Sequence, residues 1–234
     1  MGLRQFIAKK NKDYHPVIAE MVRPYVTNAS RFLEVGCWDG KSSVYYKKAL
    51  GISDVYGMDC FEESVKTARG KGVKAYQCDL EKERFPFDSD YFDIVISNQV
   101  FEHLKQIYMP LTEIYRVLKP NGHLLFGVPN LASLHNRFLL LIGKQPTCIQ
   151  IFDEHVRAFT PDALIKFLTF NNLFEVVKFK GIGFYPLIPP ASNVFSSIFP
   201  KGSVIILILL RKNYVENTIT LEKEVLRVVK QTNY

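Results

Sequence analysis

The segment Phe32-Leu-Glu-Val-Gly-Cys-Trp-Asp-Gly-Lys-Ser42 restricts the fold more than any other stretch of the 234 residues. An apolar run carrying one acid is followed by Gly36 and Gly40, directly ahead of a helix-forming segment. Such a pattern reads as a strand that turns tightly into a helix, with the glycines leaving room for a ligand beside the backbone. The ligand of such a turn sits off the carboxyl end of the strand. Two phosphate-binding readings fail on spacing. A nicotinamide dinucleotide turn prefers G-x-G-x-x-G, whereas this chain reads G-x-x-x-G with Trp38 inside it. A P-loop needs four residues between its glycines, and Gly36 to Gly40 is one residue too short despite the Gly40-Lys-Ser42 that follows.

Around this turn, short β-rich runs alternate with helical stretches, the pattern of an α/β fold with a mainly parallel sheet. Strands are expected at 31–35, 54–58, 74–77, 92–97, 123–128, 174–179 and 203–210. Helices are expected at 16–25, 41–50, 62–69, 107–118, 134–142 and 161–170, the last with Thr160 as cap and Pro161 in the first turn. Residues 1–30 read as an N-terminal helical segment, 31–212 as the main domain and 213–234 as a helical tail with its apolar stripe at Leu221, Val225, Val228 and Val229. Two stretches break the alternation, 131–160 and the loop-rich 181–202. Interruptions this long in a compact domain usually serve as lids or binding loops.

Further acids fall where strands end. Val55-Tyr-Gly-Met-Asp59 closes the second strand with a carboxylate that can accept from two adjacent ribose hydroxyls. Cys78-Asp79-Leu80 closes the third with a carboxylate able to accept from an adenine amino group. The four cysteines, at 37, 60, 78 and 148, contain no C-x-x-C pair, so a zinc ribbon and a redox pair are disfavoured. They read as small buried side chains in a reducing compartment, and a cytoplasmic location is expected. The longest apolar run, Val204 to Leu210, is too short to span a bilayer, and the N-terminus does not have the charge order of a secretory signal.

In order along Phe32–Pro129, five segments together resemble the class I S-adenosylmethionine-dependent methyltransferases. They are Leu33-Glu-Val-Gly-Cys-Trp-Asp-Gly40, Tyr56-Gly-Met-Asp59, Cys78-Asp-Leu80, Phe92-Asp-Ile-Val-Ile-Ser-Asn-Gln-Val-Phe-Glu-His-Leu104 and Arg116-Val-Leu-Lys-Pro-Asn-Gly-His-Leu-Leu-Phe-Gly-Val-Pro129. The subgroup most similar includes small-molecule methyltransferases of the ubiquinone pathway and those acting on sugars and glycans. The resemblance implies a Rossmann-like, doubly wound, seven-stranded sheet, mostly parallel, whose last strand runs antiparallel. It implies S-adenosylmethionine as cofactor, which carries no phosphate and needs no phosphate cradle. Gly36 and Gly40 would bracket its methionine end, with Cys37 and Trp38 in the same turn. Glu34 would lie near the amino group, Asp59 would hold the ribose with Cys60 beside it, Asp79 and Leu80 would flank the adenine, and Asn98 would line the floor. Trp38 stands where the family commonly has glycine, so its side chain either turns outward or narrows the substrate side.

For proton transfer from the acceptor, the candidates are His103, just after the fourth strand, and His155 in Asp153-Glu-His-Val-Arg-Ala-Phe-Thr160. Each has a plain alternative, a histidine satisfying backbone groups and a salt-bridged loop anchor. Arg157 is a further substrate-contact candidate. Phe184–Pro190 with 139–142 could form an apolar wall, either ordinary packing or a lipid-facing surface.

The expected activity is methyl transfer to oxygen or nitrogen of a small-molecule or glycan-type acceptor, with no metal. The alternatives are an RNA or protein methyltransferase and a catalytically silent binding module. The net charge of +7 bears on the partner. Residues 31–130 hold 13 Lys+Arg against 14 Asp+Glu, residues 1–30 hold 5 against 2, and residues 131–234 hold 12 against 7. The excess lies outside the cofactor half, which makes an anionic acceptor or surface, lipid-linked acceptors included, more plausible, while the basic balance is what keeps the RNA alternative open.

Overall fold

The computed structural model describes residues 14–214. Seven strands form one sheet: β1 (Phe32–Val35), β2 (Val55–Asp59), β3 (Lys74–Gln77), β4 (Phe92–Asn98), β5 (Leu118–Pro129), β6 (Phe174–Ile182) and β7 (Ile205–Lys212). Their spatial order is β3-β2-β1-β4-β5-β7-β6. Neighbours from β3 through to β5 pair in parallel, and β7 pairs antiparallel with both β5 and β6. The expected antiparallel last strand is therefore present.

The central strands read as near-continuous apolar runs because both of their faces are covered. All four residues of β1 are buried. On one face, Phe32, Ile94 and Ile96 pack with Ile18 and Met21 of α1 (His15–Val22), Tyr46 of α2 (Lys41–Leu50) and Val65 of α3 (Glu62–Gly70). On the other, Leu33, Val35, Val95 and Phe126 pack with Leu111 and Ile114 of α4 (Tyr108–Val117) and Leu164 of α6 (Pro161–Leu168). Helix α6 starts as expected, with Thr160 Oγ accepting from the Ala163 amide and Pro161 in the first turn. Between α4 and α6 lies α5 (Leu134–Leu141).

Strand order reverses between β1 and β4, and the carboxyl ends of β2, β1 and β4 lie side by side through the pairs Val35↔Met58 and Val35↔Ser97. At such a switch point the flanking connections run to opposite faces of the sheet and open a crevice. Gly36, Asp59 and Asn98 all follow directly from this edge.

Two expectations are corrected. Residues 181–202 are not simply loop, for they contain α7 (Ala191–Ile198) and a short turn of 3-10 helix at Pro200–Gly202. Helix α7 buries Ser192 and Ser196, so it lacks the core-facing apolar stripe by which a helix is read from sequence. Strand β5 begins at Leu118 rather than 123, with a register shift against β4 between Phe92 and Ile94. The helical tail expected around 221–230 lies outside the described residues. Among those described, no helix is long and apolar enough to cross a membrane.

Candidate active site

The turn after β1 is tied to β2. The amides of Gly36 and Cys37 both donate to the Met58 carbonyl, at 2.8 and 2.9 Å. Gly36 has φ +74, and a Cβ there would stand 2.4 Å from Val100 Cγ2. Gly40 has φ +76 and closes the turn through its amide to the Cys37 carbonyl at 2.9 Å. A Cβ at Gly40 would meet Ala68 at 2.9 Å. Between them Trp38 also takes a left-handed conformation, with φ +46. Its indole is 59% exposed and meets Phe61 edge to face, with centroids 5.6 Å apart. Of the two orientations open to Trp38, the structure has the outward one.

Asp59 is buried, and both of its carboxylate oxygens are held by backbone donors. Trp38 N–H donates to Oδ2 at 2.9 Å and Phe61 N–H to Oδ1 at 3.1 Å. Each oxygen retains a further lone pair for a ligand hydroxyl. Glu34, also buried, accepts from the Ser43 hydroxyl. Burial raises its carboxyl to about 7 against the lowering effect of that bond. Asp79 is more open: it pairs with Lys82 at 2.8 Å and accepts from the Glu81 amide at 3.0 Å. The Lys82 ammonium holds its carboxyl below the ordinary range. Leu80 beside it is buried.

The cysteines divide. Cys37 and Cys78 are buried, and burial pushes each thiol up to about 12, out of reach of thiolate chemistry at neutral pH. Cys60 is exposed, which corrects its reading as a small buried side chain. It stands at the start of a connection whose anchoring comes from backbone groups, the Cys60 carbonyl accepting from Gln77 Nε2 at 3.1 Å.

Beyond β4 the site becomes denser in unpartnered polar groups. Asn98 Oδ1, Gln99 Nε2 and both oxygens of Glu102 are buried without a hydrogen-bond partner among the described residues. Burial raises the Glu102 carboxyl to about 8. The Glu102 carbonyl accepts from the amides of Val156 and Arg157 at 2.8 and 3.0 Å, clamping 153–157 against the end of β4. That clamp brings His155 to His103, whose rings meet edge to face with centroids 4.7 Å apart. His155 Nδ1 lies 2.8 Å from the Cys148 carbonyl and 3.2 Å from Asp153 Oδ2, and His103 Nδ1 lies 3.3 Å from the Glu154 carbonyl. A carbonyl only accepts, so each Nδ1 carries the hydrogen and each neutral ring keeps an acceptor lone pair on Nε2. Arg157 instead spends its guanidinium on the backbone carbonyls of Leu104, at 3.0 Å, and Lys105, at 2.5 Å. It anchors the loop.

Both candidate histidines thus come together, and the sequence reading passed over two residues beside them. Glu102 had a weak signal, an acid adjoining His103. Tyr14 had none: it precedes α1, yet its phenol faces Glu102, Asn98 and Glu34, and burial holds it above its ordinary range. Glu102, His103 and His155 each bring a ligand atom within 4.8 Å of the others, a set whose chemistry suits a divalent cation as well as a proton.

The residues also suit S-adenosylmethionine, a cationic ligand with a vicinal diol and an ammonium. Glu34, Asp59 and Glu102 supply buried carboxylates, and no lysine or arginine hydrogen-bonds any of the three among the described residues. The orphaned Asn98 and Glu102 oxygens need donors such as that ligand or its acceptor would bring.

With this geometry in place, comparison with known proteins defines the class. Residues 33–126 match the methyltransferase domain family. The stretch from β1 to β5 is thus similar to the methyltransferase domains of that family. The chain is 30% identical to the phthiotriol/phenolphthiotriol dimycocerosates methyltransferase of Mycobacterium leprae, over 43% of this chain and 38% of that protein. It is 26% identical to the mitochondrial ubiquinone biosynthesis O-methyltransferase of Mus musculus, over 73% of this chain and 46% of that one. The chain thus spans less than half the length of either. A solved S-adenosylmethionine-dependent methyltransferase from Archaeoglobus fulgidus shares the fold, with a TM-score of 0.59 and 20% identity over 89% of this chain and 99% of that one.

Proposed function

We propose that this protein transfers a methyl group from S-adenosylmethionine to an oxygen or nitrogen of a small-molecule or glycan-type acceptor. The observation that carries the proposal is the pairing of His103 with His155 at the edge of the sheet that holds Gly36, Asp59 and Asn98. A hydroxyl or ammonium acceptor must give up a proton, and two imidazoles with Nδ1 pinned to carbonyls present Nε2 to take it.

In this reading Gly36 and Gly40, with the backbone of Cys37 and Trp38, bracket the methionine end, and Glu34 sits near its amino group. Asp59 holds the ribose through the lone pairs its two amide bonds leave free, and the exposed Cys60 borders that pocket. Asp79 and Leu80 flank the adenine, and Asn98 lines the floor. S-adenosylmethionine supplies a methyl group already activated by its sulfonium, so what remains for the protein is alignment and removal of a proton. His155 Nε2 receives the acceptor proton, and the carboxyl of Glu102, which brings an oxygen within 4.8 Å of both rings, borders the pair. The relatives named for ubiquinone biosynthesis and phthiotriol dimycocerosates support a small or lipid-type acceptor rather than a macromolecular one.

Calorimetry with S-adenosylmethionine and its demethylated product tests the cofactor half of this reading. Absence of binding at millimolar concentration would sink it. Radiolabelled methyl donor, screened first over sugars, quinone precursors and lipid-linked glycans, then identifies the acceptor.

A further inference from the structure

Helix α5 buries no apolar side chain. Its one buried residue is Asn136, 1% exposed, while Phe138, Leu140 and Leu141 face outward. A primary amide offers two hydrogens and two lone pairs, and burying it costs free energy unless they are matched. Asn136 matches all four. Its Nδ2 donates to the Asn130 carbonyl at 3.0 Å and to Cys148 Sγ at 3.3 Å. Its Oδ1 accepts from the Thr147 amide at 2.9 Å and from the Thr147 hydroxyl at 3.0 Å. The orientation is forced, because a flipped amide would set its oxygen against the Asn130 carbonyl and its hydrogens against the Thr147 amide.

One end of this network is fixed to the sheet. Asn130, fully buried directly after β5, donates through Nδ2 to the carbonyls of Lys201 and Ser203 at 2.9 and 2.7 Å. Its own amide donates to the Val204 carbonyl at 2.8 Å, just ahead of β7. The other end is the turn at 147–148, whose Cys148 carbonyl lies 2.8 Å from His155 Nδ1. Asn130, Asn136, Cys148 and His155 thus form one connected series running from the sheet to the imidazole.

We propose that Asn136 is a positioning residue for His155. By tying the 147–148 turn to the sheet it places the carbonyl that holds the hydrogen on Nδ1, and so keeps the Nε2 lone pair available for the acceptor proton. The Glu102 clamp cannot do this alone, since it ties the backbone of 156–157 and leaves the ring free to turn about its side-chain bonds. Asp153 Oδ2, 3.2 Å from the same nitrogen, belongs to the segment that carries His155 and moves with it. The inference rests on the reading of His155 as proton acceptor and adds what holds its ring.

The experiment joins a spectroscopic readout to kinetics on the full chain. In nitrogen-15-edited spectra the His155 Nδ1 hydrogen, assigned by its loss in His155→Ala, should be visible and slow to exchange with water. Asn136→Ala should speed that exchange at least about tenfold, because the acceptor left to the ring is a partly exposed carboxylate. Thr147→Val removes the hydroxyl bond to Asn136, with the contact from His135 Nε2 at 2.7 Å, and keeps the Asn130 tie. It should speed exchange about fivefold, the loss of one hydrogen bond, and it decides the question if circular dichroism shows Asn136→Ala unfolded. Asn136→Ala should lower kcat at least about fivefold, with acceptor KM and S-adenosylmethionine Kd within about twofold of wild type. In a His155→Ala background the same substitution should cost less than about twofold, since nothing is left to position. An invisible Nδ1 hydrogen in the wild type, unchanged exchange in both variants, or an equal kcat loss in the two backgrounds overturns the proposal. If His155→Ala leaves turnover intact, it is the role of His155 in methyl transfer that falls, and the exchange rates alone then decide the positioning.

Discussion

The imidazole rings of His103 and His155, one after β4 and the other in the segment between α5 and α6, meet edge to face at 4.7 Å. What joins them is backbone: the Glu102 carbonyl receives the amides of Val156 and Arg157. Because the contact is set by main-chain bonds, removing one ring should leave the other in place. We predict that His155→Ala lowers turnover at least about tenfold, a floor under the roughly hundred- to ten-thousandfold that a positioned proton acceptor contributes, with S-adenosylmethionine affinity unchanged. Near-wild-type turnover would remove His155 from the mechanism. His103→Ala, measured alongside, shows which ring takes the proton.

Asp59 separates cofactor binding from chemistry. Its oxygens accept from Trp38 and Phe61, so the side chain is oriented before any ligand arrives. Asp59→Asn keeps the shape but replaces one acceptor with a donor that faces either an amide hydrogen or a ribose hydroxyl. Hydrogen bonds to charged groups are worth about 1.5–3 kcal/mol, which translates to a ten- to hundredfold rise in Kd. Calorimetric titration with S-adenosylmethionine measures it, and an unchanged Kd would remove Asp59 from the cofactor site.

Glu102 predicts a pH dependence of stability. In the unfolded chain its carboxyl loses a proton near 4.5, whereas burial in the folded protein keeps the proton until about 8. Between those values the folded state holds more protons than the unfolded one, so stability falls as pH rises across that window. The ionised, unpartnered carboxylate then costs the fold about 3–5 kcal/mol by pH 8. Glu34, raised to about 7, acts in the same direction. Glu102→Gln should therefore raise Tm at pH 8, leave it little changed near pH 4, and flatten the slope without abolishing it, since Glu34 remains. Parallel Tm–pH profiles for the variant and the wild type would show that Glu102 does not carry the raised proton.

Trp38 tests the one departure from the family pattern. A non-glycine residue at φ +46 costs about 1 kcal/mol of backbone strain, and the indole returns little because it is mostly in water. Trp38→Gly is expected to match or exceed wild-type stability by up to about 1 kcal/mol in urea unfolding, with the amide bond to Asp59 preserved. A loss above about 1 kcal/mol would mean that the edge contact with Phe61 outweighs the strain.

How much of this was readable beforehand follows from where each feature is encoded. Val55–Asp59 and Phe92–Asn98 were legible because central strands buried on both faces are unbroken apolar runs, and an acid or amide marks where each one leaves the sheet. His103 and His155 could be nominated but not joined, since the clamp that unites them uses backbone amides of Val156 and Arg157, which carry no side-chain signature. Glu102 was passed over for the same reason: its burial is a product of that clamp. Tyr14 reaches the site only because α1 packs under the sheet with Phe32. Helix α7 was hidden by its chemistry, its buried positions being serines.

The turn after β1 supplies a final test, in which strain can be separated from crowding. Gly36 is held at φ +74, and a Cβ there would overlap Val100 Cγ2 at 2.4 Å. Alanine in the left-handed region costs about 1 kcal/mol, and relieving the overlap by displacing a nearly buried valine costs about 1–3 kcal/mol more. Gly36→Ala should therefore destabilise the protein by about 2–4 kcal/mol. Val100→Ala alone loses methyl packing worth about 1–2 kcal/mol. Combined, the two should cost less than their sum by at least about 1 kcal/mol, because the second substitution removes the atom that the first one strikes. The left-handed strain survives in the double variant, so its stability should not return to that of Val100→Ala. Strict additivity in urea unfolding would show that the glycine is required for its dihedral angle alone. Full recovery to the Val100→Ala value would show that it is required only for the approach of Val100.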